Sequence, residues 1–435
     1  VASNFYVWTL NIGKRSACSY YRIEAPMTQL QSLDLASIYE ENGENRPESN
    51  IAMMYADVAH FYAVSGEPFL HRFNALRRIE PAVRNGSDIY PPAIIYDVDD
   101  NNDFVHPFNT VFASQGVRGY PDAKFLEPGE GLEFEDADGK PMLNAKGEPI
   151  GWQDQETFFE GTTFDIARNL HQMKVRHEII RNAHGVTVTS PTLARYMRDV
   201  IGARDVYVFP NTIVPEHFED IRAVRKDDSV RVLWQGGMSH LIDWYPLRDA
   251  LRTIAQKYPN VKFVIFGEWF NWIHDAIPDN MVEHHSWVSY DAYKLKRGLL
   301  NIDVNLCPLV NNVFNACKSG IKWYEASIWE TPEATLAAKT PPYSEIVDGE
   351  TGLHYTTPAE FVEKLSLLIE DAALRRRVAD GARRWVLENR TPKATIPGLA
   401  DFYAEVRAKQ RRELGKPIIK RPTLEQIKKV GIPLR

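Results

Sequence analysis

The strongest constraint on this chain is a repeated order of segments. Short apolar runs alternate with longer stretches of helical spacing, once before and once after a charged linker at KDDS (226–229). A short apolar run bounded by turn residues reads as a buried strand, and apolar residues at i, i+3, i+4 read as a helix. Before the linker, FYVWTL (5–10), AIIYDVDD (93–100), HGVTVTS (184–190) and DVYVFPNTI (205–213) are expected strands. TTFDIARNLHQMKVRHEIIRNA (162–183) is an expected helix, and NIGKRSACSYYRIEAP a polar loop. After it, VRVLW (230–234), VKFVIFG (261–267), MVEHHSWV (281–288), NIDVNLCPL (301–309) and EATLAA (333–338) are strands. WYPLRDALRTIAQKYP, DAYKLKRGLL, IKWYEASIW (321–329) and YSEIV (343–347) are the helices between and after them. Strands joined through helices form parallel sheets covered on both faces. The expected fold is therefore α/β: two Rossmann-like domains, 1–225 and 226–392, facing a cleft. Residues 393–435 add a helix returning to the first domain and a basic tail. Ligands of such sheets bind at the carboxyl ends of the strands.

Composition excludes several classes. The chain has 435 residues, 44% hydrophobic and 25% charged, which is ordinary for globular domains and unlike a disordered or collagenous chain. A net charge of -7 argues against a surface that coats nucleic acid throughout. Cys18, Cys307 and Cys317 form no CxxC pattern, so neither a zinc ribbon nor a disulfide framework is expected. No apolar run reaches the ~18 residues of a membrane span, and VASNFYVWTL lacks the basic start of a signal peptide. A cytoplasmic location is the expectation.

Residues 121–160 stand apart, with eleven acidic against three basic residues and Asp-Gly and Lys-Gly turn signals. They read as a surface hairpin insertion, with a lid or acceptor-contacting element as the alternative. The opposite bias marks 406–435, where ten Lys/Arg face two Glu. That end reads either as a segment that tracks a phosphate backbone or as a recrossing helix with a solvated basic end.

Three constellations can carry chemistry. In WQGGMSHLIDW (234–244), a strand ends in Gly236-Gly237, followed by Ser239, His240 and a helix. Glycines let backbone N–H groups approach an anion, and a helix start adds partial positive charge. A tight turn with Ser239 as cap is the alternative. In NACKSGIKWYEAS (315–327), Lys318 and Ser319 precede a helix that carries Glu325. An ammonium and a hydroxyl there suit phosphate oxygens, and the carboxylate suits a ribose diol; Lys322 fits a solvated helix face. In YDVDDNNDFVHPFN (96–109), Asp97, Asp99, Asp100 and His106 follow a strand. D-x-D is a pattern that holds a divalent cation on a diphosphate; turn acids are the alternative. Arg22 in the first loop reads as a solvent-exposed side chain, with a loop that covers a ligand's phosphates or the acceptor as the alternative, and His60, His71 and His171 have no spacing that marks a ligand.

The second constellation continues into PPYSEIVDGETGL, after one strand. Together these stretches resemble the donor-binding region of the GT-B glycosyltransferases, in the large retaining family that uses nucleotide sugars. Members show K-S-x-x-K-x-x-E, a strand, then P-Y-x-E-x-V-x-x-G-x-T-G-L. WQGGMSHLIDW resembles the G-S-x-x-H-x-x-D variant of that family's glycine loop, and HGVTVTSPTLARYM with VFPNTI resembles the end of its first domain. The resemblance covers roughly 160–390. It implies transfer of a sugar from a nucleotide-diphosphate sugar, UDP-sugar first, with retention and without metal. It implies Gly236, Gly237, Ser239, His240, Lys318, Ser319 and Glu325 at the donor; in the two-domain reading, Asp99, Asp100 and His106 at their strand end fall on the acceptor side. One departure stands out: the first acid of the family's paired glutamates falls at Cys317, and only Glu325 is retained. The basic end points to DNA as partner, with a modified base as acceptor in the manner of a phage-type enzyme. A sugar-nucleotide epimerase of the same fold and a non-catalytic binding protein are the alternatives.

Overall fold

A computed structural model describes residues 5–12, 16–43, 47–84, 87–105, 109, 111–117, 165–218, 227–329 and 331–415. The acidic segment 121–160, His106 and the tail from 416 onward lie outside the described residues. The chain divides into two compact units: 1–100 with 172–214 and 390–435, and 101–171 with 215–389.

The first unit holds β1 (Phe5–Leu10), β2 (Ala36–Glu41), β3 (Val58–Tyr62), a small hairpin of β4 (Ala82–Arg84) and β5 (Ser87–Ile89), β6 (Ala93–Val98), β7 (Gly185–Val188) and β8 (Val206–Val208). Six of them form a parallel sheet in the order β2-β1-β3-β6-β7-β8. Every residue of β1 and β6 is buried. Such strands read as continuous apolar runs because helices cover both faces of the sheet. One cover is the helix Ala25–Ser32; another is the long C-terminal helix Pro392–Glu413. Ile396, Leu399, Tyr403 and Val406 of that helix join Val7, Val58 and Ile95 in the core. Arg407 and Arg411 reach Asp57, whose other oxygen accepts from the Tyr6 N–H, so charge pairing fastens the helix to β1 and β3. The returning helix is thus a structural part of the first unit.

The second unit holds β9 (Val230–Gly236), β10 (Val261–Gly267), β11 (Val282–His285), β12 (Val304–Cys307), β13 (Ala334–Ala338) and β14 (Leu353–Tyr355). All pair in parallel, in the order β11-β10-β9-β12-β13-β14. This is the doubly wound order whose direction reverses between β9 and β12, the point where a crevice opens beyond the strand ends. Two parallel α/β sheets are the fold class expected from the sequence; each has six strands, where four and five were expected.

Local differences have local causes. SACSYYRIEAP (16–26) is not a loop: from Ser16, which caps the turn by accepting from Ser19 N–H, the chain winds through Ala17–Ser19 and the π-turn Tyr20–Glu24 into Ala25–Ser32. The stretch at 244–259 is not one helix. Pro246 has no N–H to continue the ladder, and the chain runs as Leu241–Trp244, a 3-10 turn Tyr245–Leu247, and Arg248–Lys257. YSEIV is not a helix either; the 3-10 turn Pro341–Tyr343 takes only its first residue.

Candidate functional site

At the switch point of the second sheet, β9 delivers the Gly236-Gly237 turn and β12 leads into the 313–325 region. Gly237 precedes a 3-10 turn, Met238–His240, and a helix of four residues. The start after the glycines is therefore broken into short pieces, and side chains rather than a long helix supply the positive charge. Gly236, Gly237, Ser239 and His240 are all half-buried on this turn. Gly267 at the end of β10, with φ of +116°, leaves a β-carbon only 2.4 Å from the Gly236 oxygen, so the two strand ends meet as bare backbone. Trp234, Trp244 and Phe270 pack behind the turn, the two indoles stacked at 5.4 Å. The exposed ring of Trp287 lies against Gly237 and Gly267.

The 313–325 region is tied to the same turn through buried Asp243. Its Oδ1 accepts from Val310 N–H at 2.8 Å and from the Asn315 amide at 2.6 Å, while its Oδ2 lies 2.7 Å from His240 Nδ1. Asp243 is thus a fixing point between the two loops. Lys318 and Ser319 are half-buried where the next helix begins, with the Lys318 ammonium 4.4 Å from the centre of the Phe314 ring. Lys322 departs from its expected solvated face. It is half-buried, with its Nζ 3.2 Å from His240 Nε2. The reason is its register: Lys322 and Glu325, three positions apart on one face of Ile321–Ser327, reach His240 and Gln235 at the end of β9.

Glu325 sits in a polar nest. Its Oε2 accepts from the Gln235 amide at 3.2 Å and lies 2.7 Å from the Tyr293 hydroxyl, with the Tyr290 hydroxyl 3.4 Å from Oε1. Arg297 donates to Gln235 at 3.2 Å and pairs through both terminal nitrogens with buried Glu333. A carboxylate held by such a network keeps one orientation. Where the missing acid would fall, Cys317 is buried, with the Asn101 amide 3.5 Å from its sulfur.

Asp97 and Asp99 in the first unit part company. Arg22, far from being a solvated loop residue, is fully buried on the π-turn and grips Asp97 with two hydrogen bonds, of 2.8 and 2.6 Å. Thr187 donates to the same carboxylate, and His60 lies 3.9 Å from it. Burial pushes the Asp97 carboxyl up, but the Arg22 guanidinium and His60 together outweigh it and hold the group at about 2. Asp97 is consequently a structural anion. Asp99 is half-buried beyond the strand end and accepts from Tyr62 at 2.9 Å. Burial, then the neighbouring charge of Asp100, raise it to about 6. Asp99 and Asp100 lie together there. Among the described residues no group of three or more His, Cys, Asp or Glu is placed to hold a metal ion.

Sequence reading missed Lys322, the fixing role of Asp243, and the Gln235–Tyr293–Arg297 surround of Glu325. Only the i, i+3 spacing of His240 and Asp243 was visible beforehand as a pair on one helical turn.

Comparison with known proteins adds the class. Residues 246–400 match a family described as glycosyl transferase-like. None of the curated proteins matches the sequence. Among solved structures, the chain is similar to a sucrose-phosphate synthase from Thermosynechococcus elongatus, at 10% identity and a TM-score of 0.56, covering 93% of this chain and 100% of that one. It is similar to a glycosyltransferase from Rickettsia africae, at 10% identity and a TM-score of 0.54, over 93% and 99% of the two chains. Anabaena HepE, solved with UDP-glucose, is 13% identical with a TM-score of 0.51, over 92% and 100%. No helix among the described residues is long and apolar enough to cross a membrane. The matching family is glycosyl transferase-like, one of these neighbours is a glycosyltransferase, and the fold of this chain is the two-sheet GT-B fold.

Proposed function

We propose that the chain is a retaining, metal-independent glycosyltransferase that moves a sugar from a UDP-sugar to an acceptor hydroxyl. The observation that supports this reading is the set of ties between the Gly236-Gly237 turn and the 313–325 region at the switch point: Asp243 to Asn315, His240 to Lys322 and Gln235 to Glu325. In this reading Glu325 takes the ribose hydroxyls. Backbone N–H groups of the turn, Ser239, Lys318, Ser319 and Lys322 take the diphosphate. As the bond from the anomeric carbon to the diphosphate breaks, negative charge grows on the leaving oxygen, and fixed cations stabilise that charge most. Asp99, near 6, is suited to exchange a proton with the acceptor hydroxyl at neutral pH. Asp100 and His106 complete the acceptor side. The bound UDP-glucose of HepE supports a uridine donor.

Glu325→Ala is expected to weaken UDP binding by about 1.5–3 kcal/mol, roughly ten- to a hundredfold, the usual worth of hydrogen bonds to a charged group. Calorimetric titration reads it, and unchanged affinity in a folded variant overturns the ribose assignment. Chelation with EDTA is expected to leave transfer intact. Activity lost with EDTA and restored by Mn or Mg would hand the diphosphate to a cation at Asp99 and Asp100. For the acceptor, we favour a modified base in DNA, which a duplex must flip out to expose. Arg407, Lys409 and Arg411 are engaged with Asp57 and Asp205, so exposed Arg412 and the cations beyond 415 are the ones to meet phosphate. DNA affinity that does not fall steeply with salt counts against that acceptor. Conversion of the donor sugar without acceptor would identify an epimerase instead.

A further inference from the structure

Asp243, His240 and Lys322 form a line of side chains on the Gly236 turn. Asp243 Oδ2 lies 2.7 Å from His240 Nδ1, and His240 Nε2 lies 3.2 Å from Lys322 Nζ. A carboxylate can only accept, so the ring carries its proton on Nδ1 and offers the Nε2 lone pair to the lysine. Asp243 cannot follow the ring if it turns, because its other oxygen is held by Val310 N–H and Asn315. The ring rests on the turn itself: a β-carbon at Gly236 would lie 2.9 Å from His240 Cδ2. Glycine at 236 thus makes room for the imidazole as well as for a ligand.

We propose that His240 is a positioning residue: locked by Asp243, it holds the Lys322 ammonium at the Gly236-Gly237 turn, where that ammonium meets an oxygen of a diphosphate. The inference rests on the nucleotide-sugar reading and deepens it. A four-carbon lysine stem on a free helix face samples many rotamers, and each must be given up on binding an anion. An acceptor at Nε2 removes that loss beforehand. Protonation states agree with the geometry. Burial and the neighbouring Lys322 keep His240 down near 4, so the ring is neutral at pH 7. Burial lowers Lys322 to about 8, so the lysine is mostly charged at pH 7 and loses its charge as pH rises past 8. The ionisable groups facing the pair are Asp243, Lys318, Glu325 and the Cys307 thiol, with the Tyr343 hydroxyl beyond that thiol.

The test is binding of UDP and of inorganic pyrophosphate by the full chain, from pH 6 to 9, in four variants checked for folding by circular dichroism. In the unaltered protein, affinity is expected to fall as pH passes about 8. His240→Phe keeps the ring's size but removes the acceptor, and is expected to lose roughly tenfold in affinity at pH 7. His240→Gln, whose amide oxygen can stand in for Nε2, is expected to recover most of it. Lys322→Met is expected to abolish the fall above pH 8. Adding His240→Phe to Lys322→Met is expected to change nothing further, because the histidine acts only through the lysine. Additive losses in the double variant, or UDP affinity unaltered in His240→Phe, overturn the positioning role while leaving the glycosyltransferase reading in place. Binding of neither probe by the unaltered protein overturns that reading, and this inference with it.

Discussion

Asp97 and Asp99 stand two positions apart and are opposite in chemistry. One is held near 2 by Arg22 and the other is raised to about 6 by burial and Asp100. The sequence showed a D-x-D pattern; it did not show that an arginine seventy-five positions away would neutralise the first acid. His184 is a buried titratable group of another kind. Its Nδ1 accepts from Ile94 N–H at 2.9 Å, and burial, helped by Arg77 and Arg204, lowers it to about 4. Unfolding frees it to bind a proton near 6.5, so the unfolded state takes up more protons between those values. Its contribution is fully present above about pH 6.5 and is lost as pH falls toward 4, by up to about 3 kcal/mol. Asp99, raised rather than lowered, acts with the opposite sign in nearly the same window. Comparing variants separates them: in urea unfolding, His184→Leu is expected to lose less stability, or gain more, than the unaltered protein on going from pH 7 to pH 5. The same variant is expected to lose about 1–3 kcal/mol at pH 7, because Ile94 N–H is left without its acceptor. An unchanged slope would remove His184 from the acid response.

At the scale of elements, close approaches decide more than propensity. The helix Ala372–Asn389 carries Gly381, whose added β-carbon would lie 2.0 Å from the Glu350 carbonyl oxygen. Alanine in a helix interior normally gains about 1 kcal/mol over glycine. Here the obstacle is backbone of the turn that follows Val347, and forcing atoms into a packed contact costs about 1–3 kcal/mol. Gly381→Ala is therefore expected to destabilise, read as a lower urea midpoint; a higher midpoint would show that the 347–352 turn yields. The same rule explains why Lys322 was misread. Helical spacing places it on one face of Ile321–Ser327, but which face meets β9 is fixed by the sheet and not by the seven residues themselves.

On the scale of the whole molecule, the C-terminal helix belongs with the N-terminal strands. Ile396, Leu399, Tyr403 and Val406 are no more than 2% exposed in the core of the first unit. Each such side chain contributes about 1.5–3 kcal/mol of burial, and domains are stable by only about 5–15 kcal/mol. A chain ending at Asn389 is expected to lose cooperative melting of the first unit and expose β1 and β6 to protease. A chain ending at Gly415 is expected to keep both. Equal protection in the two would mean that the helix is dispensable to the core.

The alternation of apolar runs and helical stretches determined the α/β class, because two buried faces demand continuous apolar strands and covering helices. The glycine pair, Lys318-Ser319 and Glu325 stood out in the sequence as candidates, since glycines, a lysine–serine pair and an acid beside strand ends are residue types that suit a diphosphate and a ribose. Strands β2 and β3 were not legible: ASIYEE and VAHFY are short, mixed in polarity, and become strands by pairing on either side of β1. Strand order, the burial of Arg22 against Asp97, and the line from Asp243 through His240 to Lys322 were decided only by the tertiary structure. Each joins residues across a sheet or between separate loops, and no local pattern records a contact whose partner lies tens of residues away.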